Sequence, residues 1–350
     1  MVIFILRRMV WAVMLAFVIS FLTFVMFFAL PSSENAQRNE RGFDTSLQAQ
    51  FDVHGSFVEQ YVRFVGHVVL HGDLGQSTRG GGDVVAEIKR TLPVTVSLLL
   101  GGMLLWLLLA FPIGLISALR PRSLLDRGLM IFVLVGISAH PVWLGLILSY
   151  TFGVRWHAFP IGGYCDFHYS PESSSLCGGP RYWAYHMFLP WLTFALLFAA
   201  LYARMIRASL LEAMQEDYVR TARAKGAGTS RIVRKHVLRN SMLPIVTMLG
   251  MDVGIAFGGA LFIETVFQLP GMGRLLVRSL ATEDLPMVMG VVLVVSTAVV
   301  LVNLFVDVLY SVLDPRVRLR AKGDAIPASR GLRRELRAQR RVTESATQAP

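Results

Sequence analysis

The residues of this chain with the chemistry to do work fall in a few places. Nine Lys and Arg lie between positions 204 and 239, around Asp217-Tyr218-Val219-Arg220-Thr221-Ala222-Arg223-Ala224-Lys225-Gly226. Asp252 and Glu264 lie in or beside an apolar run that also carries Gly250, Gly254 and Gly258. The only cysteines, Cys165 and Cys177, share a Ser-rich, Pro-containing stretch. His67, His71 and Asp73 stand close together.

Each group suggests a chemistry. The basic stretch suits an anionic surface or a groove on another protein, and lipid cannot accept so many cations, so it must lie in water beside a membrane. Asp252 and Glu264 are costly in an apolar run unless they face protein or water. They are therefore candidates for a pathway, for ion coupling, or for a hydrogen bond between packed helices. The glycines recur every four residues, so one face of their helix permits close contact. Cys165 and Cys177 are expected to form a disulfide if their loop is exported. Zinc with His157, His168 or His186 lacks the paired ligand spacing of such sites, and His67, His71 and Asp73 make a thin set, so no metal is expected.

Catalysis finds no support. A phosphate loop needs Gly-Lys, because the lysine reaches the phosphates from a glycine turn. The four lysines follow Ile88, Ala224, Arg234 and Ala321, and there is no HExxH, GxSxG or paired CxxC. Any ATP that drives this chain is hydrolysed elsewhere.

The elements that position these groups are membrane helices. Of 350 residues, 54% are hydrophobic and 16% charged, and the mean hydropathy is +0.54. Apolar runs cover about 9–30, 92–119, 129–153, 187–203, 243–263 and 285–306. About 20 helical residues span a bilayer core, so an all-α polytopic membrane protein with six transmembrane helices is expected. The first run, after Arg7 and Arg8, exceeds a signal-peptide core and is read as a retained helix. Most of the 34 Lys and Arg lie inside if both termini and the 204–242 loop are cytoplasmic. Outside segments then fall at about 31–91, 154–186 and 267–284. Pro93 is read in the first turn of the second helix, and Pro141 as a kink within the third.

Within the basic stretch the pattern is two short helices and a hinge. Glu212 to Lys225 holds good helix formers, Gly226 and Gly228 supply a left-handed stop, and Thr229 or Ser230 caps a helix that runs toward Pro244. Tyr218, Ala222, Lys225 and Gly226 fall on one side of the first helix. From spacing alone the stretch reads equally as a helix lying on anionic lipid or as a docking element.

The Asp217–Gly226 segment, with Leu238-Arg239-Asn240 and Leu243-Pro244, resembles the coupling loop of ABC importer permeases of the dipeptide, oligopeptide and nickel group. His71-Gly72-Asp73-Leu74-Gly75-Gln76-Ser77, Glu264 to Leu276 and Leu313-Asp314-Pro315-Arg316 are similar to that family as well. Two departures stand out: only Ala222 of the three residues that name the loop motif is kept, and Leu30-Pro31-Ser32-Ser33 replaces a Pro-Gly-Asp-Pro turn. The resemblance covers about 1–315 as a permease domain and implies a type I importer permease fold. It further implies a sister permease subunit, two cytoplasmic ATPase subunits that carry ATP and Mg, and an external substrate-binding protein. ATPase coupling then falls to Asp217, Tyr218, Arg220, Thr221, Ala222, Ala224, Lys225 and Gly226. The implied cargo is peptide, with nickel or another small solute as the alternative; an ion-coupled transporter using Asp252 and Glu264 is the rival class. Residues 316–350, with ten basic and three acidic side chains, read as a cytoplasmic tail drawn to anionic headgroups.

Overall fold

The computed structural model describes residues 2–25, 57–77, 82–167 and 177–313. The sequence readings at Leu30–Ser33, at His168, at the end of the last helix beyond Leu313 and in the 316–350 tail lie outside the described residues, as do the side chains of His71 and Asp307. Among the described residues eleven helices follow one another: α1 (Val2–Phe24), α2 (Phe57–Gly66), α3 (Val84–Leu119), α4 (Leu124–Ser138), α5 (Pro141–Leu148), α6 (Pro180–Ala213), α7 (Asp217–Ala224), α8 (Thr229–Ile232), α9 (Leu238–Val266), α10 (Met272–Ala281) and α11 (Leu285–Leu313). Short π-helical turns extend α2, extend α5 and join α8 to α9.

Four of these helices are long and apolar enough to cross a membrane alone, and two bent pairs bring the total to as many as six. Lipid tails are as apolar as leucine, so helices in a bilayer are held by close packing rather than by the hydrophobic effect. The central pair, α3 and α6, is built for that. On α3, Gly102, Trp106, Ala110, Gly114 and Ala118 recur every four residues and are all buried. A Cβ at Gly102 would stand 2.5 Å from the Phe194 ring, and one at Gly114 would stand 2.8 Å from the Ala203 carbonyl oxygen. Trp106 fills the space between, its ring stacked on Phe198 at 4.6 Å and tilted against Phe194 and Tyr202 at 5.7 Å. At 36 residues and about 1.5 Å per residue, α3 is some 54 Å long, well over a hydrocarbon core of about 30 Å.

Two expectations about proline need correction. Helix α3 begins at Val84, where the Asp83 carboxylate accepts the Val85 N–H, so Pro93 lies inside the helix rather than in its first turn. At Pro141 the chain does more than kink. Ala139 and His140 are extended, with ψ of 127° and 138°, because the residue before a proline is pushed out of the helical region. The His140 Nδ1 then accepts the Val142 N–H at 3.3 Å and restarts the helix. The two halves meet at 110°.

Glycine spacing grades the packing of α9 on α11. A Cβ at Gly250 would come within 2.3 Å of Val306, one at Gly254 would make an ordinary 3.4 Å contact with Val299, and one at Gly258 would meet nothing within 4 Å. The helices therefore diverge, and a cavity of about 330 Å³ opens where they part, lined by Gly254, Gly258, Glu264, Ser296, Val299 and Asn303 among others. Helix α1 lies on the outside of α11, mostly exposed. Its Phe17, Phe21 and Phe24 surround the ring of Tyr61 from α2, with centroids 5.3–5.6 Å away.

Candidate functional site: the α6–α7 elbow and its braces

The basic stretch breaks differently from its sequence pattern. Helix α6 continues to Ala213, the chain turns at Met214–Glu216, and α7 starts anew at Asp217. Gly226 does take the left-handed conformation, with φ of 79°. Gly228 does not; at φ −67° and ψ 151° it caps α8 itself, and neither Thr229 nor Ser230 serves as the cap. The helix beyond continues through Pro244 without a stop.

Within α7, Val219 is fully buried and Tyr218 and Ala222 are half-buried against the main core. The Tyr218 hydroxyl donates to the Ala213 carbonyl at 3.3 Å, and Val219 joins Leu210, Ala213, Ile232 and Val237 in one cluster. The four residues placed on one face from spacing thus divide. Tyr218 and Ala222 tie α7 to the end of α6, while Lys225 and Gly226 are exposed along with Asp217, Arg220, Thr221 and Ala224. The one ion pair on this face, Asp217 with Arg220 at 3.5 Å, is open to water and contributes about 0–1 kcal/mol. A basic hollow follows α7, lined by Gly226, Gly228, Ser230, Arg231, Arg234 and Lys235.

Three carboxylates brace the scaffold that carries this elbow. Asp126, in the first turn of α4, is the most heavily bonded. It receives Arg207 Nε at 2.8 Å and Nη2 at 2.9 Å, the Arg122 N–H at 2.9 Å and the Ser117 hydroxyl. Three helices of the bundle, α3, α4 and α6, converge on one side chain that is 5% exposed. Sequence reasoning missed both partners, although Ser123 three residues before Asp126 has the spacing of a helix cap. The Ser123 hydroxyl indeed accepts the Asp126 N–H at 3.1 Å.

Glu264 lies toward the opposite end, where α9 turns into α10. Its carboxylate accepts the Thr95 hydroxyl at 2.6 Å and the Arg274 N–H at 3.1 Å, with the Gly273 N–H also bonded to it. Thr95 in turn accepts the Met272 N–H at 2.8 Å. A fully buried acid from α9 therefore caps α10, satisfying N–H groups that have no partner within the helix. The glycines of Pro270-Gly271-Met272-Gly273 make room for it: a Cβ at Gly271 would fall 2.3 Å from the carboxylate. Asp252, 7% exposed, accepts the Tyr202 hydroxyl at 2.8 Å and so joins α9 to α6.

Cys165 and Cys177 are joined as a disulfide, and His186 Nδ1 lies 3.3 Å from the Cys165 sulfur. These three residues are the one cluster of metal-ligand type among the described residues, but both sulfurs are already bonded to each other. Nearby, burial pushes the Tyr164 phenol above its ordinary value, and the charge of Asp166 acts the same way. The Gly163 N–H donates to the Phe267 carbonyl at 3.1 Å, tying this loop to the α9–α10 turn.

A helical bundle of four to six spans with a short surface helix set between two of them defines a polytopic membrane protein of the transporter-permease class. The comparisons make this specific. Residues 110–319 match the family described as binding-protein-dependent transport system inner membrane component, and residues 1–99 match its N-terminal companion. The chain belongs to that family. It is 34% identical over 334 residues to the dipeptide transport system permease protein DppB of Escherichia coli (strain K12), covering 90% of this chain and 98% of the relative. It is 38% identical over 276 residues to a peptide permease protein of Brucella suis biovar 1 (strain 1330), covering 78% and 84%. A solved structure of the MetNI methionine ABC transporter, in an inward-facing conformation, superposes with a TM-score of 0.51 at 17% identity, covering 65% of this chain and 96% of that one. The fold is that of a type I ABC importer permease, and the chain is a multi-pass inner-membrane transport component.

Proposed function

We propose that this chain is the permease subunit of an ATP-driven importer that carries peptides, and that α7 is the element on which a separate ATPase subunit acts. The observation that carries the reading is the division of α7: Tyr218, Val219 and Ala222 fasten it to α6, while Asp217, Arg220, Thr221, Ala224, Lys225 and Gly226 face outward. A short helix rigidly attached to a long one transmits displacement, and its free face is available to another protein. The names of the relatives support peptide as cargo. A sister permease, two ATPase subunits and an external binding protein complete the assembly, with both termini and α7 on the cytoplasmic side and the disulfide loop outside. ATP and Mg belong to the ATPase subunits. Glu264, enclosed as the cap of α10, and Asp252, bonded to Tyr202, serve as packing groups in this reading, so neither is an open acid for ion coupling.

The test is Ala224→Trp, an exposed helical position where bulk blocks a groove without disturbing the fold. Gly226→Leu is less informative, since φ of 79° strains any side chain there. The expected result is a variant that inserts and melts like wild type, loses co-purification with the ATPase subunits and loses uptake of a labelled dipeptide. Wild-type uptake by Ala224→Trp refutes the role of α7.

A further inference from the structure

Helix α4 is oddly held. It buries only two of its residues, Asp126 and Val133, and presents Ile131, Phe132, Leu134 and Val135 outward, each more than half exposed. Its first turn is capped by Ser123 and tied to the bundle by one carboxylate, gripped by the guanidinium of Arg207 from α6. Arg207 lies six residues before Ala213, so about 9 Å of unbroken helix separates it from the turn into α7. That segment is stiffened by Leu210 and Ala213, which are buried in the same cluster as Val219. At its other end α4 reaches the 110° break at His140. Beyond the break, Gly145 of α5 packs against Val266 and Phe267, at the turn that Glu264 stabilises.

A buried ion pair is a weak source of stability, because well-packed apolar side chains of similar volume serve as well or better. What a two-pronged arginine–carboxylate contact provides is fixed geometry. Ser117 and the Arg122 N–H hold the same carboxylate, so the joint also resists rotation of α4 about its own axis. Here that geometry joins the helix that carries α7 to the helix that leads to the break.

We propose that the Asp126–Arg207 pair is a positioning joint: it makes the near half of α4 move as one body with α6 and α7, so displacement of α7 reaches the His140 break. The inference rests on the reading of α7 as the ATPase contact and specifies where the motion goes next.

The experiment uses the complete complex, with spin labels on Cys introduced at Glu216, which leads into α7 and lies outside its contact face, and at Leu124 in the first turn of α4, both exposed. Inter-label distance is measured without nucleotide and after trapping with ATP and vanadate. With the joint intact the distance stays constant on trapping. With Arg207→Lys, which keeps the charge and loses the fork, or with Asp126→Asn, it changes by about 3–5 Å, the scale of a helix slipping by up to one turn. A wild-type distance that changes as much as that of Arg207→Lys overturns the joint while leaving α7 as the contact. Failure of the ATPase subunits to co-purify with the unaltered chain overturns both.

Discussion

Replacing Gly271 by alanine tests the carboxylate cap most directly. The added methyl would sit 2.3 Å from Glu264 Cδ and Oε1 and 2.4 Å from Oε2, roughly an ångström inside normal contact, so the acid must leave. The cavity beside it, with Ser296 and Asn303 among its lining residues, gives it somewhere to go but not the donors it abandons. Those are the Thr95 hydroxyl and the N–H groups of Gly273 and Arg274. Hydrogen bonds to a charged group are worth about 1.5–3 kcal/mol each. Losing two and partly recovering one in the cavity costs about 3 kcal/mol. At about 2 °C per kcal/mol for a large chain, the apparent melting temperature falls by about 6 °C. The assay heats detergent-solubilised protein and follows the folded fraction by size exclusion. Gly258→Ala, where a Cβ meets nothing within 4 Å, is the matched control and melts at the wild-type temperature. Equal melting of Gly271→Ala and wild type refutes the cap, and an equal loss in Gly258→Ala refutes the steric argument.

Three further outcomes are expected. Gly250→Ala, whose methyl would fall 2.3 Å from Val306, lowers the melting temperature while Gly258→Ala on the same helix does not; equal behaviour would contradict the graded approach of α9 to α11. Gly226→Ala costs about 1–2 kcal/mol through its left-handed backbone, and Gly228→Ala costs less because its φ is −67°; chemical unfolding of the pair distinguishes them. Peptide mapping without reduction recovers Cys165 and Cys177 on one cross-linked product, and full alkylation of both thiols in unreduced protein would refute the bond.

The helical class was legible because long uncharged runs admit no other solution in lipid. The position of the working loop was legible because its charge cannot enter a bilayer. What the pattern could not give was direction. Tyr218 and Ala222 are expected on one face with Lys225 and Gly226, yet they turn toward α6, because the break at Met214–Glu216 resets the helical phase that a continuous Glu212–Lys225 helix would have had. Pro141 likewise announced a disturbance but not its size, which depends on His140 capping the next helix. Asp126 and Arg207 were hidden for a different reason: they stand 81 residues apart and each looks like loop charge until α4 and α6 are side by side. Glu264 was noticed as an ionisable group in an apolar setting. Its role emerged only when Thr95, distant in sequence, and Gly271 and Gly273 at the start of α10 were brought around it.

The uneven spacing of α9 and α11 carries a mechanical consequence. A pair of rods pressed together at Gly250 and Val306 and parted toward Gly258 behaves like shears riveted near one tip. The blades can swing while the rivet stays unchanged, and the work of swinging goes into filling or emptying the wedge between them. Bulk at the rivet therefore forces the whole pair apart, whereas bulk in the wedge only limits how far it shuts.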